Sequence, residues 1–189
     1  MKSRSSSPPT PSTARAPISN PRPVGLCLSL LLVTACAPTL RPPSPISVSP
    51  AWGNTRSQTF SVTWSAPIGF SDLTDLRVLF ASSTDGRDAC YLRYDPVRDT
   101  IGLVDDDSVN WTDISLRRPG SIENNQCRVT AQGSSATGNG TRLTLKLALT
   151  FKRVFAGHQN IYLYAKERQG LEAGFTKKGM WSVPYWETE

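Results

Sequence analysis

From Leu143 to Phe151 the chain alternates without a break. Leu143, Leu145, Leu147, Leu149 and Phe151 are large and apolar, and Thr144, Lys146, Ala148 and Thr150 stand between them. A helix, at 3.6 residues per turn, would scatter this set around its axis, whereas an extended strand puts all of it on one face. The segment therefore reads as a strand with one buried side, and the chain must supply a second apolar layer to cover it.

The remaining sequence supplies that layer in the same period. Phe60, Val62 and Trp64 alternate with Ser61 and Thr63, and Leu76, Val78 and Phe80 with Arg77 and Leu79. Cys90, Leu92 and Tyr94 alternate with Tyr91 and Arg93, ahead of a turn at Asp95-Pro96 and then Ile101 and Leu103. Ile161, Leu163 and Ala165 form another run, and residues 180–183 close the pattern before Pro184. Turn signals separate the runs: Pro67-Ile68-Gly69, Thr84-Asp85-Gly86, Pro119-Gly120, Gly133-Ser134-Ser135 and Gly138-Asn139-Gly140. No window carries convincing helical periodicity, and Arg153 to Ala156 has room for one helical turn at most. The pattern predicts an all-β domain over residues 46–183, an Ig-like antiparallel β-sandwich of about seven to nine strands. A closed barrel is the alternative that periodicity leaves open.

Charge divides the chain differently. Residues 1–35 hold Lys2, Arg4, Arg15 and Arg22 and no acid; these take four of the 21 basic residues, leaving 17 against 15 acidic from Cys36 onward. The formal charge of +6 is thus mostly a property of the leader. The remainder lacks the stripe of Lys and Arg that nucleic-acid binding draws on. Val24 to Val33 is a nearly continuous apolar run, about half of the ~20 residues that span a bilayer as a helix. A basic leader, a short apolar core and small residues after it make residues 1–35 a secretory signal. Residues 36–45, with Pro38, Pro42 and Pro43, read as a stiff tether, and 184–189 as a short tail.

The end of the apolar core, Val33-Thr34-Ala35-Cys36, resembles the lipobox of bacterial lipoproteins. The resemblance implies that Cys36 is acylated and becomes the first residue after cleavage, with the membrane as a partner through an N-terminal lipid anchor. Ala37 in place of Asp implies, by that family's sorting habit, the outer membrane. Two or three acyl chains anchor stably where one does not. Cys27 would then leave with the signal and Cys36 would carry lipid, so that Cys90 and Cys127 remain to pair in an oxidising compartment. There is no Cys-x-x-Cys pair to support a zinc ribbon or a thioredoxin-type site.

Ser47-Val48-Ser49-Pro50 with the Phe60–Trp64 run, and Asn160-Ile161-Tyr162-Leu163-Tyr164-Ala165 followed by Gln169-Gly170-Leu171, resemble the opening and the penultimate strand of Ig-like and fibronectin-III-like modules of secreted bacterial proteins. Ala89-Cys90-Tyr91-Leu92 and Gln126-Cys127 resemble a cysteine pair in one uncharacterised group of them. The resemblance implies fold and export; sandwiches host too many roles to imply more.

Catalytic material is sparse. The single histidine, His158, sits in the polar turn Ala156-Gly157-His158-Gln159-Asn160, and a serine hydrolase needs a base beside its nucleophile. There is no Gly-x-Ser-x-Gly elbow, phosphate loop or His-Glu-x-x-His motif, and no pair of acids stands out for glycoside hydrolysis. Asp105, Asp106 and Asp107 form the sharpest acidic cluster. They read as a solvated loop or, if a tight turn makes them converge, as a calcium site, the one cofactor in prospect. Tyr91, Tyr162 and Tyr164 fall on the side of their strands away from the expected core, and Trp111 lies in a polar stretch. These four are the candidate ligand-binding residues: a row that stacks sugar rings, or one that packs beneath a sheet edge or loop. The expected function is that of a non-enzymatic, lipid-anchored envelope module for structural, adhesive or protein–protein contact. Carbohydrate binding is the alternative and an extracellular hydrolase ranks third.

Overall fold

A computed structural model describes residues 41–187, and those residues form two stacked β-sheets. The chain opens the first sheet with β1 (Ser44–Ser49), touches the second with β2 (Trp52–Gly53) and returns with β3 (Ser57–Ser65). A 3-10 turn, Phe70–Asp72, leads into the second sheet, where β4 (Leu73–Ala81), β5 (Cys90–Asp95), β6 (Thr100–Val104) and β7 (Trp111–Ser115) run as an antiparallel meander. It crosses back with β8 (Ser121–Glu123), β9 (Cys127–Asn139) and β10 (Arg142–Phe151). A second 3-10 turn, Arg153–Phe155, leads to β11 (Gly157–Glu167) and β12 (Glu172–Val183) in the second sheet. The spatial orders are β1-β3-β10-β9-β8 and β2-β12-β11-β4-β5-β6-β7. The domain is a two-sheet all-β sandwich with open edges, and not a closed barrel.

Alternation explains the layering. All five large residues of β10, Leu143 to Phe151, are buried, while Lys146 between them is exposed. They meet Phe60, Val62 and Trp64 of β3 in the same sheet and Leu76, Val78, Phe80, Ile161 and Leu163 of the other. At the centre, the Phe60 ring lies 4.9 Å from Phe80 and 4.8 Å from Trp181, so aromatic packing crosses between the sheets. The indole N–H of Trp181 donates to the carbonyl of Thr55 at 2.9 Å.

Cys90 and Cys127 form a disulfide. Cys90 opens β5 in the seven-stranded sheet and Cys127 opens β9 in the five-stranded one, so the bond ties the layers together. Asn124 braces the same corner. Its Nδ2 donates to the carbonyls of Ala89 and Val104, at 2.9 and 3.1 Å, and its Oδ1 accepts from the backbone N–H groups of Gln126 and Cys127. The side-chain amide thus joins the backbone at the start of β5, the end of β6 and the start of β9.

Three expectations are corrected. The strands number twelve in the two sheets, more than the seven to nine read from the sequence, because β2 and β8 are too short, and β7 too polar, for alternation to reveal them. Regular structure also begins at Ser44, inside the stretch expected to be tether. Finally, Gly133-Ser134-Ser135 does not reverse the chain. It lies within β9 as an irregularity, where Lys146 pairs with Ser135 but Ala148 pairs with Thr130. Gly133 adopts a φ of 87°, which favours glycine. Ser134 stands in for the missing ladder bonds: its Oγ donates to the Thr130 carbonyl at 2.6 Å and accepts from Ala148 N–H at 2.9 Å. The true reversal follows at Gly140-Thr141, between the paired residues Asn139 and Arg142, with Gly140 at a φ of 57°.

Candidate functional site

The outer face of the seven-stranded sheet carries a second apolar cluster. Leu79, Ala81, Ala89, Tyr91 and Val104 are buried there, with Trp111, Tyr162 and Phe175 packed against them. The local cause is in β4, where Val78, Leu79, Phe80 and Ala81 are apolar in succession, so that both faces of the strand exclude water.

Register brings the four aromatic candidates to this one face. Tyr162 of β11 pairs with Leu79 of β4, which pairs with Tyr91 of β5. The neighbouring row runs Tyr164, Arg77, Arg93, Gly102 and Asp113 across five strands. The rings interlock by their edges: Tyr91 lies 5.1 Å from Trp111 and 5.9 Å from Phe175, both near perpendicular, and Phe175 lies 5.6 Å from Tyr164. Tyr91 is therefore not an exposed member of a row, as its strand position suggested. It is 7% exposed, beneath Trp111 and Phe175. Trp111, Tyr162 and Tyr164 are half-buried.

Two arginines fix this surface, and the sequence reading missed both. Arg77 donates to both carboxylate oxygens of Asp75, at 2.7 Å from Nη2, and from Nη1 to the Tyr91 hydroxyl at 2.7 Å. Its guanidinium lies 4.9 Å from the Tyr164 ring centre. Burial works against the charge, but the bonds to Asp75 and Tyr91 outweigh it and raise the Arg77 pKa above its ordinary value. Arg93 holds Asp113 at 2.9 Å and lies 4.6 Å from the centre of Trp111. Each arginine thus covers an aromatic ring while a carboxylate holds it in place. Burial, and then a hydrogen bond to Glu172, raise the Tyr164 pKa, so its hydroxyl keeps its proton. Beside Arg93 a recess of about 190 Å³ is lined by Asp75, Asp95, Arg98, Thr100 and Asp113.

The other candidates lie elsewhere. Asp105, Asp106 and Asp107 do not converge. Asp105 turns back on its own loop, accepting from Val109 N–H at 2.8 Å and Asn110 Nδ2 at 2.7 Å. The first of these bonds, and then the second, lower its pKa. Asp106 reaches across to Asn125, and Asp107 is exposed. Among the described residues no group of three or more His, Cys, Asp or Glu is arranged to hold a metal ion. His158 is exposed near the start of β11, opposite Ser182. Cys36 and the leader lie outside the described residues. An exposed aromatic absent from the sequence reading is Trp52, 79% exposed on the edge strand β2 and paired with Met180.

No family model, curated protein or solved structure matches this chain.

Proposed function

We propose that this protein is a non-enzymatic, lipid-anchored module of the bacterial cell envelope that makes protein contacts through the outer face of its seven-stranded sheet. The observation that carries the contact surface is the interlocked set of Tyr162, Tyr164, Phe175 and Trp111 with Arg77 and Arg93 held by Asp75 and Asp113. Aromatic residues and arginine dominate binding hot spots, and rigid side chains lose little entropy when a partner docks. The anchoring part rests on the resemblance of Val33 to Cys36 to a lipobox, and the outer-membrane placement on Ala37.

The strand order supports an Ig-like reading of the sandwich. In a variable-type immunoglobulin domain one sheet runs A-B-E-D and the other G-F-C with C′ and C″ added. The orders β1-β3-β10-β9 and β12-β11-β4-β5-β6 follow that sequence of neighbours, with β2, β7 and β8 as additions at the edges. The departure is the disulfide, which joins the C′ and D equivalents rather than B and F.

Glycan binding is the second reading, favoured by the polar recess beside Arg93. Against it, Trp111 and Tyr164 each have an arginine over the ring, and Tyr91 is buried, so these rings do not form an open stacking platform. A glycan array should give no specific signal; specific binding abolished by Trp111→Ala would put the glycan reading first. Metabolic labelling with a fatty-acyl analogue should mark the protein and not Cys36→Ala. Equal labelling of both would remove the lipid anchor from the account.

A further inference from the structure

At the end of the sandwich where the chain enters β1, two tight turns lie against each other. The 3-10 turn Phe70–Asp72 leads into β4, and Glu167, the last residue of β11, pairs with Leu73 at the start of β4. Arg168 N–H donates to the Asp72 carbonyl at 2.8 Å, and Glu167 N–H to the Leu171 carbonyl at 3.0 Å. Glu167 is 2% exposed, and the other acids among the described residues lie nearer water. Its Oε1 and the Oδ2 of Asp72 are both buried, and no donor reaches either.

The charged groups around the pair are committed elsewhere. Asp75 of β4 holds Arg77, Glu172 of β12 accepts from Tyr164, and Arg117 across the neighbouring groove holds Asp99. Arg168 Nη2 donates to the Ser71 carbonyl at 3.3 Å, and Lys166 sits opposite Asp75 on the outer face. Among the described residues no ion pair includes Asp72 or Glu167. Two ionised carboxylates are acceptors only, so neither can satisfy the other without a proton between them. Calcium would ask for six to eight oxygens, of which these side chains supply a minority.

We propose that Asp72 and Glu167 share a proton and form a pH-sensitive latch that clamps the β11–β12 turn onto the 3-10 turn. The two turns contribute Phe70, Ser71 and Arg168 to the wall of a groove of about 430 Å³, whose floor includes Leu73, Ala136 and Leu143. Loss of the shared proton sets like charges against each other where the facing oxygens are buried, and the turns relieve this by moving apart. The groove then loses one wall.

The sign follows from the proton balance. The neighbouring Asp72 carboxyl, and then burial, raise the Glu167 pKa. The folded state therefore holds this proton more tightly than the unfolded chain does. The contribution is complete below the ordinary glutamate range and is lost as pH rises through the raised value.

Hydrogen exchange on the full chain tests this, at about pH 5 and about pH 8 with intrinsic rates corrected. Peptides covering residues 66–75 and 165–173 should exchange several-fold faster at the higher pH, while the Leu143–Phe151 strand should not change. Glu167→Gln, whose amide supplies a hydrogen at every pH, should keep both peptides protected throughout. If that variant does not fold, Asp72→Asn makes the same comparison. Equal protection of the two turns at both pH values in the unaltered protein would overturn the latch. So would recovery of protection at the higher pH on adding calcium, which would make the pair a cation site.

Discussion

Arg93 and Asp113 meet across Gly102. The three residues occupy neighbouring positions on β5, β6 and β7, and the missing side chain in the middle lets Arg93 Nη2 reach the Asp113 carboxylate at 2.9 Å. A Cβ at Gly102 would collide with both Asp113 Oδ1 and Arg93 Nε. The glycine is thus part of the device that holds Arg93 over Trp111.

Gly102→Ala should accordingly break the ion pair and displace Arg93 from the Trp111 ring. The expected cost is about 1–3 kcal/mol, in the range of overpacking a fitted site, since a half-exposed ion pair by itself contributes about 0–1 kcal/mol. Thermal melting reads the stability, and tryptophan fluorescence reads the displaced guanidinium. An unchanged melting temperature would mean that the row is loose enough to absorb a methyl group.

The β10 strand predicts a sharp contrast between neighbours. Leu145→Ala and Leu147→Ala remove buried side chains and should each cost about 2–5 kcal/mol, much of the ~5–15 kcal/mol that holds a domain together. Lys146→Ala, on the exposed side of the same strand, should stay within about 0.5 kcal/mol. Urea denaturation of the three variants measures this directly. Damage at Lys146 comparable to that at its neighbours would contradict the one-faced burial of β10.

Reduction of the Cys90–Cys127 bond, or Cys90→Ser with Cys127→Ser, should destabilise the sandwich by about 3–4 kcal/mol. That is the chain-entropy value for a closed loop of about 38 residues. The loop holds β5, β6, β7 and β8, so the reduced protein should show faster hydrogen exchange there than in β10 or β11. Uniform loosening of all strands would mean that the bond stabilises the whole sandwich and not this corner.

Much of this fold is legible in the sequence because period two survives wherever one face is buried and the other wet. Leu143 to Phe151, Phe60 to Trp64 and Ile161 to Ala165 are read correctly for that reason. The rule fails where both faces are covered. Leu79 follows Val78 and precedes Phe80, and this unbroken apolar stretch is the one local sign that the outer face of β4 has its own packing. Tyr91 looked exposed because nothing local announces that Phe175, 84 positions later, lies against it. Arg77 and Arg93 were missed because their chemistry comes from cross-strand register, which places Tyr164 and Asp113 beside them. The Asp72–Glu167 pair was invisible for the same reason, since two ordinary-looking acids meet only once β4 and β11 are side by side.

The central claim is that the outer face of the seven-stranded sheet is the contact surface, and site-specific photo-cross-linking in native cells tests it most directly. A benzoyl-phenylalanine in place of Tyr162 lies within the aromatic cluster, and one in place of Lys146 lies on the exposed side of the other sheet. The account predicts a discrete protein adduct from position 162, none from position 146, and loss of the first when Arg77→Ala and Arg93→Ala are combined with it. Equal adducts from both positions, none from position 162, or adducts to polysaccharide alone would contradict it.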